Sequence, residues 1–279
     1  MLIDTHAHVN FNAYKDDADK VIRRSLDDNV WMINVGSQYD TSKRAVEFAE
    51  KYQEGVYAAI GLHPIHLVSG IFKVKMDEEE TAFNTKEEEF DSTRYKELAL
   101  RLGSGQAKSK VVAIGEIGLD YYYKPKTKIK TETFKNLQKE ILLKELDLAK
   151  ELDLPIIFHC RMAHEELIEI LKGKKGIKGV IHCFTGNWEQ ARKYMDMGLY
   201  LGLNGIIFKL NLDEVIEKTP LEKIVVETDC PYLTPPPMAG RNEPMYVEYI
   251  VEKIAQLKNL SHKEISDITT KNAKELFKI

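Results

Sequence analysis

Long apolar runs are missing from this 279-residue sequence: none approaches the length of a membrane span, and Met1 leads into a strand-like stretch with no basic leader or apolar signal core. That argues against a membrane helix and makes a cytoplasmic location the expectation. Positive charge is not in excess either, with 40 Lys and Arg against 44 Asp and Glu and a net charge of −4. Such a chain does not coat nucleic acid through its whole surface, so an anionic ligand would have to be held at a local cationic site. Cysteine is scarce. There are three, an odd number, and Cys160 and Cys183 each follow a histidine that ends a strand-like run. On strand alternation their thiols face away from those histidines, which makes small buried apolar filler the expectation rather than disulfide or metal chemistry. No repeat or low-complexity tract is visible.

What is present is an alternation of short β-rich runs with amphipathic helical stretches. Strand-like runs lie at Leu2, Trp31–Val35, Val56–Ile60, Val111–Glu116, Pro155–His159, Val180, Tyr200 and Ile224, eight in all. Helical composition or spacing marks Asp16–Asp28, Ser42–Tyr52, Tyr95–Leu102, Thr131–Leu152, Trp188–Met197 and Leu212–Lys218, and Ser261-His-Lys-Glu264 reads as a capping box that opens a last, structural helix with Ile265, Ile268 and Leu276 for docking. Strand and helix alternating eight times indicate a parallel sheet. At 279 residues and 43% hydrophobic composition, a closed (β/α)8 TIM barrel forming a single domain over 1–279 fits best. The acidic stretches Met76–Glu80 and Lys86–Glu89 and the polar connector Gly103–Lys110 read as a solvated helix face and surface loop.

Against that frame, five apolar runs carry residues with metal-ligand chemistry. In Leu2-Ile-Asp-Thr-His-Ala-His8, His6 and His8 are two apart and point the same way on a strand, with Asp4 below them on that face. Four further runs end on Glu116, His159, His182 and Asp229. A lone histidine or carboxylate in such a place is usually a hydrogen-bonded core group or a helix cap. Strand ends converge at the C-terminal rim of a barrel, however, and six such groups at one rim are costly to bury without an ion. Four imidazoles and two carboxylates exceed what one tetrahedral zinc needs, so two divalent ions bridged by Glu116 are expected, with magnesium, manganese and zinc all open. Two such ions outweigh the carboxylates and leave a cationic pocket in an acidic protein, which suits a phosphodiester.

The ordered motifs Asp4-Thr-His-Ala-His8, Gly61-Leu-His-Pro64, Ala113-Ile-Gly-Glu-Ile-Gly-Leu-Asp120, His159-Cys-Arg161, His182-Cys-Phe-Thr-Gly186, Glu227-Thr-Asp-Cys-Pro-Tyr232 and Arg241-Asn-Glu-Pro244 span essentially the whole chain and resemble the TatD family of metal-dependent deoxyribonucleases. The resemblance implies a hydrolase on a TIM-barrel scaffold, related to the amidohydrolases and often a 3′-to-5′ exonuclease. By motif position His6, His8 and Asp229 would hold one metal, His159 and His182 the other, and Glu116 both. The connection between His63 and Glu116 looks longer than in typical bacterial members, which bears on substrate access.

On this basis Asp229 is the expected general base, and His63, in the loop after the third strand, is expected to contact substrate or serve as acid. Arg161 and Arg241 are candidates for phosphate contacts, with one lysine among Lys124, Lys126 and Lys128. The expected partner is DNA, entering as single-stranded or frayed 3′ ends, with no membrane and a monomer as the working state. Two other classes remain open: a barrel hydrolysing a C–N or ester bond, such as an aminoacyl ester on tRNA, and a non-catalytic metal-binding barrel in a complex.

Overall fold

Eight parallel strands follow one another around one sheet in chain order: β1 (Leu2–Ala7), β2 (Val30–Val35), β3 (Val56–Ile60), β4 (Val111–Asp120), β5 (Ile156–Arg161), β6 (Gly179–Ile181), β7 (Tyr200–Leu203) and β8 (Ile224–Val226). In this computed structural model, residues 1–68, 70–72, 83–85, 87–103, 108–123 and 128–279 are described. The sheet closes into the expected TIM barrel. Thr5 Oγ1 donates to Val226 O, and beyond β8 the Asp229 amide donates to His6 O at 2.8 Å and the His8 amide to Cys230 O at 2.9 Å. The seam between first and last strands therefore runs through the residues singled out for chemistry.

Helices lie between the strands and after the last one: α1 (Ala18–Asp27), α2 (Tyr39–Ala49), α3 (Ser92–Ala99), α4 (Lys128–Glu151), α5 (His164–Leu171), α6 (Trp188–Asp196), α7 (Asp213–Lys218), α8 (Val247–Lys258) and α9 (His262–Phe277). Seven match the expected stretches to within a few residues, whereas α5 and α8 are not expected from the sequence. Strand residues that face outward, such as Met32, Ala58, Ile114, Phe158 and Leu201, form one apolar cluster with helix residues such as Val21, Val46, Leu142, Leu167 and Ile250. Inward-facing Ile3, Ile33, Ala59, Ile157, Val180 and Val225 form a second cluster, into which α9 inserts Leu276 and Phe277. Each Val, Leu, Ile, Phe or Met side chain among them stabilises the fold by roughly 1.5–3 kcal/mol when fully buried. The capping box at Ser261 and Glu264 forms as expected, Ile265 and Leu276 dock, and Ile268 is only half-buried while its neighbour Thr269 is buried.

In the long connection before β4, Gly70–Phe72 and Phe83–Thr85 pair antiparallel, where the sequence reads as solvated helix and loop. Met76–Glu80, Lys86, residues 104–107 of the polar connector, Lys124 and Lys126 lie outside the described residues, as does the side chain of Lys128. Just beyond the paired strands, the Glu88 amide donates to His66 O and its carboxylate accepts from the Tyr39 amide at the start of α2, at 3.1 Å from each oxygen. These bonds tie the connection to the rim.

Two register shifts aim the site. In β1 the shift falls between Asp4, opposite Met32, and Ala7, opposite Asn34. Met32 and Ala7 both belong to the outer cluster, so Asp4 and Ala7 face outward although three residues apart. The extra residue turns His6 and His8 inward while leaving Asp4 on the opposite face. Asp4 is therefore not beneath the histidine pair; it accepts from the Thr228 amide at 2.9 Å and its side chain, and from the His6 amide at 3.1 Å, stitching the barrel seam. In β4 the shift falls between Gly115 and Ile117, with Glu116 as the extra residue. Contrary to expectation Glu116 does not end its strand, which continues to Asp120. Gly118 makes that continuation fit: at φ +148°, a Cβ there would lie 2.0 Å from the His159 carbonyl oxygen.

Candidate metal centre

His6, His8, Glu116, His159, His182 and Asp229, named from strand ends far apart in the chain, come together at the C-terminal rim with His63 beside them. Glu116 is at the centre. Its Oε1 is 2.6 Å from His159 Nδ1, 3.2 Å from His182 Nε2 and 3.5 Å from His63 Nε2. Its Oε2 faces the other way, 3.6 Å from His6 Nε2. On that side His6 Nε2 and His8 Nε2 are 3.1 Å apart, and Asp229 Oδ1 is 3.3 Å from His8 Nε2 and 3.9 Å from His6 Nε2. The His6 and His182 rings stack at 3.6 Å, which joins the two groups.

Four of the imidazoles are held by what lies behind them. His8 Nδ1 sits 2.9 Å from Val35 O, an acceptor only, so the ring must donate there and present a bare Nε2 to the site. His182 Nδ1 is 2.9 Å from Glu227 Oε1, and His159 Nε2 is 3.2 Å from Asp120 Oδ2. Residues Asp120 and Glu227 stand in the motifs quoted above, but sequence reasoning assigned them no role. The available signal was a buried-looking carboxylate in an apolar strand, two residues before Asp229 or four after Glu116. His63 Nδ1 accepts from the Ile65 amide at 3.0 Å, so when neutral it carries its proton on Nε2, facing Glu116.

Electrostatics follow from this packing. Burial favours protonation of Glu116, but the charges of His63, His182 and His159 outweigh it and hold the carboxyl well below its ordinary range. Burial acts on Asp229 in the same sense and is outweighed by the His8 hydrogen bond and the neighbouring imidazoles, so its pKa is lowered as well. Burial pushes His6 and His63 down. His159 and His182 are raised in spite of burial, the first by Glu116 and Asp120, the second by Glu227 and Glu116.

These residues fit a divalent cation. Glu116, Asp120, Glu227 and Asp229 are buried together, and Arg161 is the permanent cation that the described contacts place against them. Among the described residues, Glu227 Oε2 and His6 Nδ1 have no hydrogen-bond partner. Ligand atoms of His6, His8 and Glu116 lie within 4.8 Å of one another, as do those of His63, Glu116 and His159. Buried carboxylates without counter-charge are costly, and bare imidazole nitrogens aimed at them are what a cation coordinates.

A model of the family described as TatD related DNase matches residues 3–278. The chain belongs to the TatD family. It is 42% identical to the uncharacterized metal-dependent hydrolase YabD of Bacillus subtilis (strain 168), over the full length of both proteins. It is 30% identical to the 3′-5′ ssDNA/RNA exonuclease TatD of Cronobacter sakazakii, covering 99% of this chain and 97% of that protein. Among solved structures it is similar to YJJV, a TatD homolog from Escherichia coli K12, with 28% identity, a TM-score of 0.79 and coverage of 100% and 98%. As a TatD protein the chain falls in a family of metal-dependent hydrolases, and the buried cluster has the donor set such chemistry uses.

The remaining expectations fare differently. Arg161 reaches the site, but through Asp120, which accepts from its Nε at 3.0 Å and from Nη2. Arg241 is paired bidentately with Asp17 at 3.0 and 2.6 Å and lies over the Tyr14 ring, and its described contacts include none of the cluster. Cys160 is buried in the outer core as expected, with its thiol near Tyr194 Oη. Cys183 departs from alternation. β6 stops at Ile181, Cys183 takes φ +44°, and its sulfur falls within 4.8 Å of the His182 and Asp229 ligand atoms. Burial pushes that thiol up to about 12, which keeps it protonated and a poor ligand. All three cysteines are free. Among the described residues no helix is long and apolar enough to cross a membrane.

Proposed function

We propose that the protein is a two-ion phosphodiesterase that shortens single-stranded or frayed DNA from the 3′ end. The observation that carries this is the split of Glu116. Its Oε1 serves His159 and His182, while its Oε2 serves the His6, His8 and Asp229 group, the arrangement of a carboxylate shared by two cations. When bound, such cations acidify water and neutralise charge on phosphoryl oxygens.

The chain's own groups would then divide the work. Asp229, ionised at neutral pH, is placed beside His8 to take a proton at Oδ1. His63, neutral with its proton on Nε2, would give a hydrogen bond to a leaving oxygen and so steady the charge that develops there. The name of the Cronobacter sakazakii relative supports a nucleic-acid strand as substrate.

A metal-by-substrate matrix on chelator-stripped protein tests the proposal. Magnesium, manganese and zinc are each added back against labelled single-stranded and duplex DNA and RNA, aminoacyl esters and simple amides. Stepwise loss of nucleotides from a 3′ end, with no turnover of esters or amides, is the expected outcome. Turnover of an ester or amide alone would replace the reading with hydrolysis of that bond. No turnover in any cell of the matrix would favour a metal-binding barrel without catalysis.

A further inference from the structure

We propose that Tyr122, backed by Arg161, is a stacking platform for a nucleobase of the substrate strand at the mouth of the metal centre, an assignment that rests on the nuclease reading above. Tyr122 is 54% exposed and Met162 is 66% exposed. Single exposed apolar residues are ordinary, but these two leave the barrel side by side. Asp120 is in register with Arg161, the Tyr121 amide donates to Arg161 O at 2.9 Å, and Tyr122 and Met162 follow directly on adjacent strands. Met162 takes φ +57° in the left-handed region as it turns off β5.

The position of Arg161 explains why the ring is held yet open. Its guanidinium is engaged by the buried Asp120 carboxylate, which restrains it from swinging out to a phosphate. Its Cζ instead lies over the rings of Tyr122 and Tyr123, 4.8 Å from each centroid. Tyr123 meets Tyr122 edge-on at 5.0 Å. Tyr122 is thus braced by cation and aromatic neighbours while over half of its surface faces solvent. A pre-ordered ring of this kind receives a flat partner at small entropic cost.

Its place relative to the chemistry suits a base one or two nucleotides from the scissile bond. Contacts run without a gap from Glu116 to His159 to Asp120 to Arg161 to Tyr122. Every nucleobase has a π-face, so a stacking contact grips a strand whatever its sequence. That suits a protein whose Arg161 and Arg241 are both paired with carboxylates.

The test compares wild type, Tyr122→Ala and Tyr122→Phe on metal-loaded protein. The substrates are a single-stranded oligonucleotide and versions in which one nucleotide near the 3′ end is abasic. Binding is followed separately by the quenching of 2-aminopurine placed at those positions. Tyr122→Ala is expected to raise KM on the order of 10-fold or more, to remove the quenching and to leave the melting temperature unchanged, with Tyr122→Phe restoring both KM and quenching. One abasic position should weaken wild type equally and cause no further loss in Tyr122→Ala. If wild type cuts strands but Tyr122→Ala keeps the same KM, or no abasic position matters, the platform is overturned and the nuclease reading stands. If wild type neither binds nor cuts any strand, the nuclease reading itself falls and the platform with it.

Discussion

A Cβ on Gly202 would lie 2.5 Å from Oε2 of Glu227, so the glycine in β7 leaves the space into which that buried carboxylate folds. Glu227 cannot retreat easily, because its Oε1 accepts from His182 Nδ1 at 2.9 Å, the Cys183 amide at 2.7 Å and Asn204 Nδ2 at 3.0 Å. Gly202→Ala is expected to cost about 1–3 kcal/mol of stability by overpacking. Together with Glu227→Gln, it should also weaken metal binding by roughly 10- to 100-fold, since the group that orients a ligand histidine is moved or neutralised. Melting curves and competition against a chromophoric chelator measure both effects. A Gly202→Ala protein that melts and binds metal like wild type would show that the space is incidental.

Glu116 offers the sharpest test of two-ion binding. Glu116→Gln keeps the shape but loses the charge that both sites share, so metal content should fall below two ions per chain and turnover should be lost with it. Elemental analysis and rate measurements on the same preparation decide this. Full occupancy with normal turnover would remove Glu116 from the bridge.

For proton transfer, Asp229→Asn should reduce the rate on the order of 10²-fold or more. Because the Asp229 pKa is held below its ordinary value, its base form is present through neutral pH and is lost only on the acid side. The acid limb of the pH–rate profile should therefore flatten in the variant. An unchanged limb at wild-type rate would exclude Asp229 as the base.

Away from the metals, Glu145 is buried in α4 with its Oε1 accepting from the Leu62 amide at 2.9 Å. Burial, with Glu88 nearby, pushes its pKa well above the ordinary value. A carboxyl raised on folding contributes fully while protonated in both states, and its contribution falls as pH climbs from the unfolded value, about 4.3, through the folded one. Glu145→Gln keeps the acceptor without the charge. It should raise the melting temperature at pH 7–8, and the gain should vanish near pH 4. Equal melting temperatures across that range would show that Glu145 is ionised at no cost.

Salt dependence reports how much of a strand is held by charge. Arg161 and Arg241 are both paired with carboxylates, Asp120 and Asp17. With both arginines committed and one lysine left to neutralise a phosphate, at roughly −0.7 per contact, the slope of log affinity against log salt for a single strand should be about −0.7. Equilibrium binding to Asp229→Asn at fixed metal concentration gives the slope, and a value near −5 would reveal a basic groove elsewhere.

How much of this was legible in the chain follows from range. The eight-fold alternation, most of the helix positions and the capping box at Ser261 are local patterns, and they survive folding because each strand and helix has its own period. The six candidate ligands were legible for a related reason. A residue at or near a strand's end faces the rim of a barrel wherever that strand lies in the chain.

What sits behind the ligands was not legible. Alternation places Asp4 on the face of His6 and His8, and only the register of β1 against β2 inserts the extra residue that separates them. Likewise Glu116 reads as a strand end, while pairing of β4 with β5 makes it an extra residue inside a longer strand. Asp120 and Glu227 look from sequence like any strand carboxylate, and Arg161 like a free phosphate contact. The sequence by itself determined the barrel and the set of candidate ligand residues, because side-chain type and period suffice for both. Tertiary structure alone decided which imidazole nitrogen each carboxylate meets, which guanidinium is already paired and which tyrosine is left open, because those depend on neighbours brought from other strands.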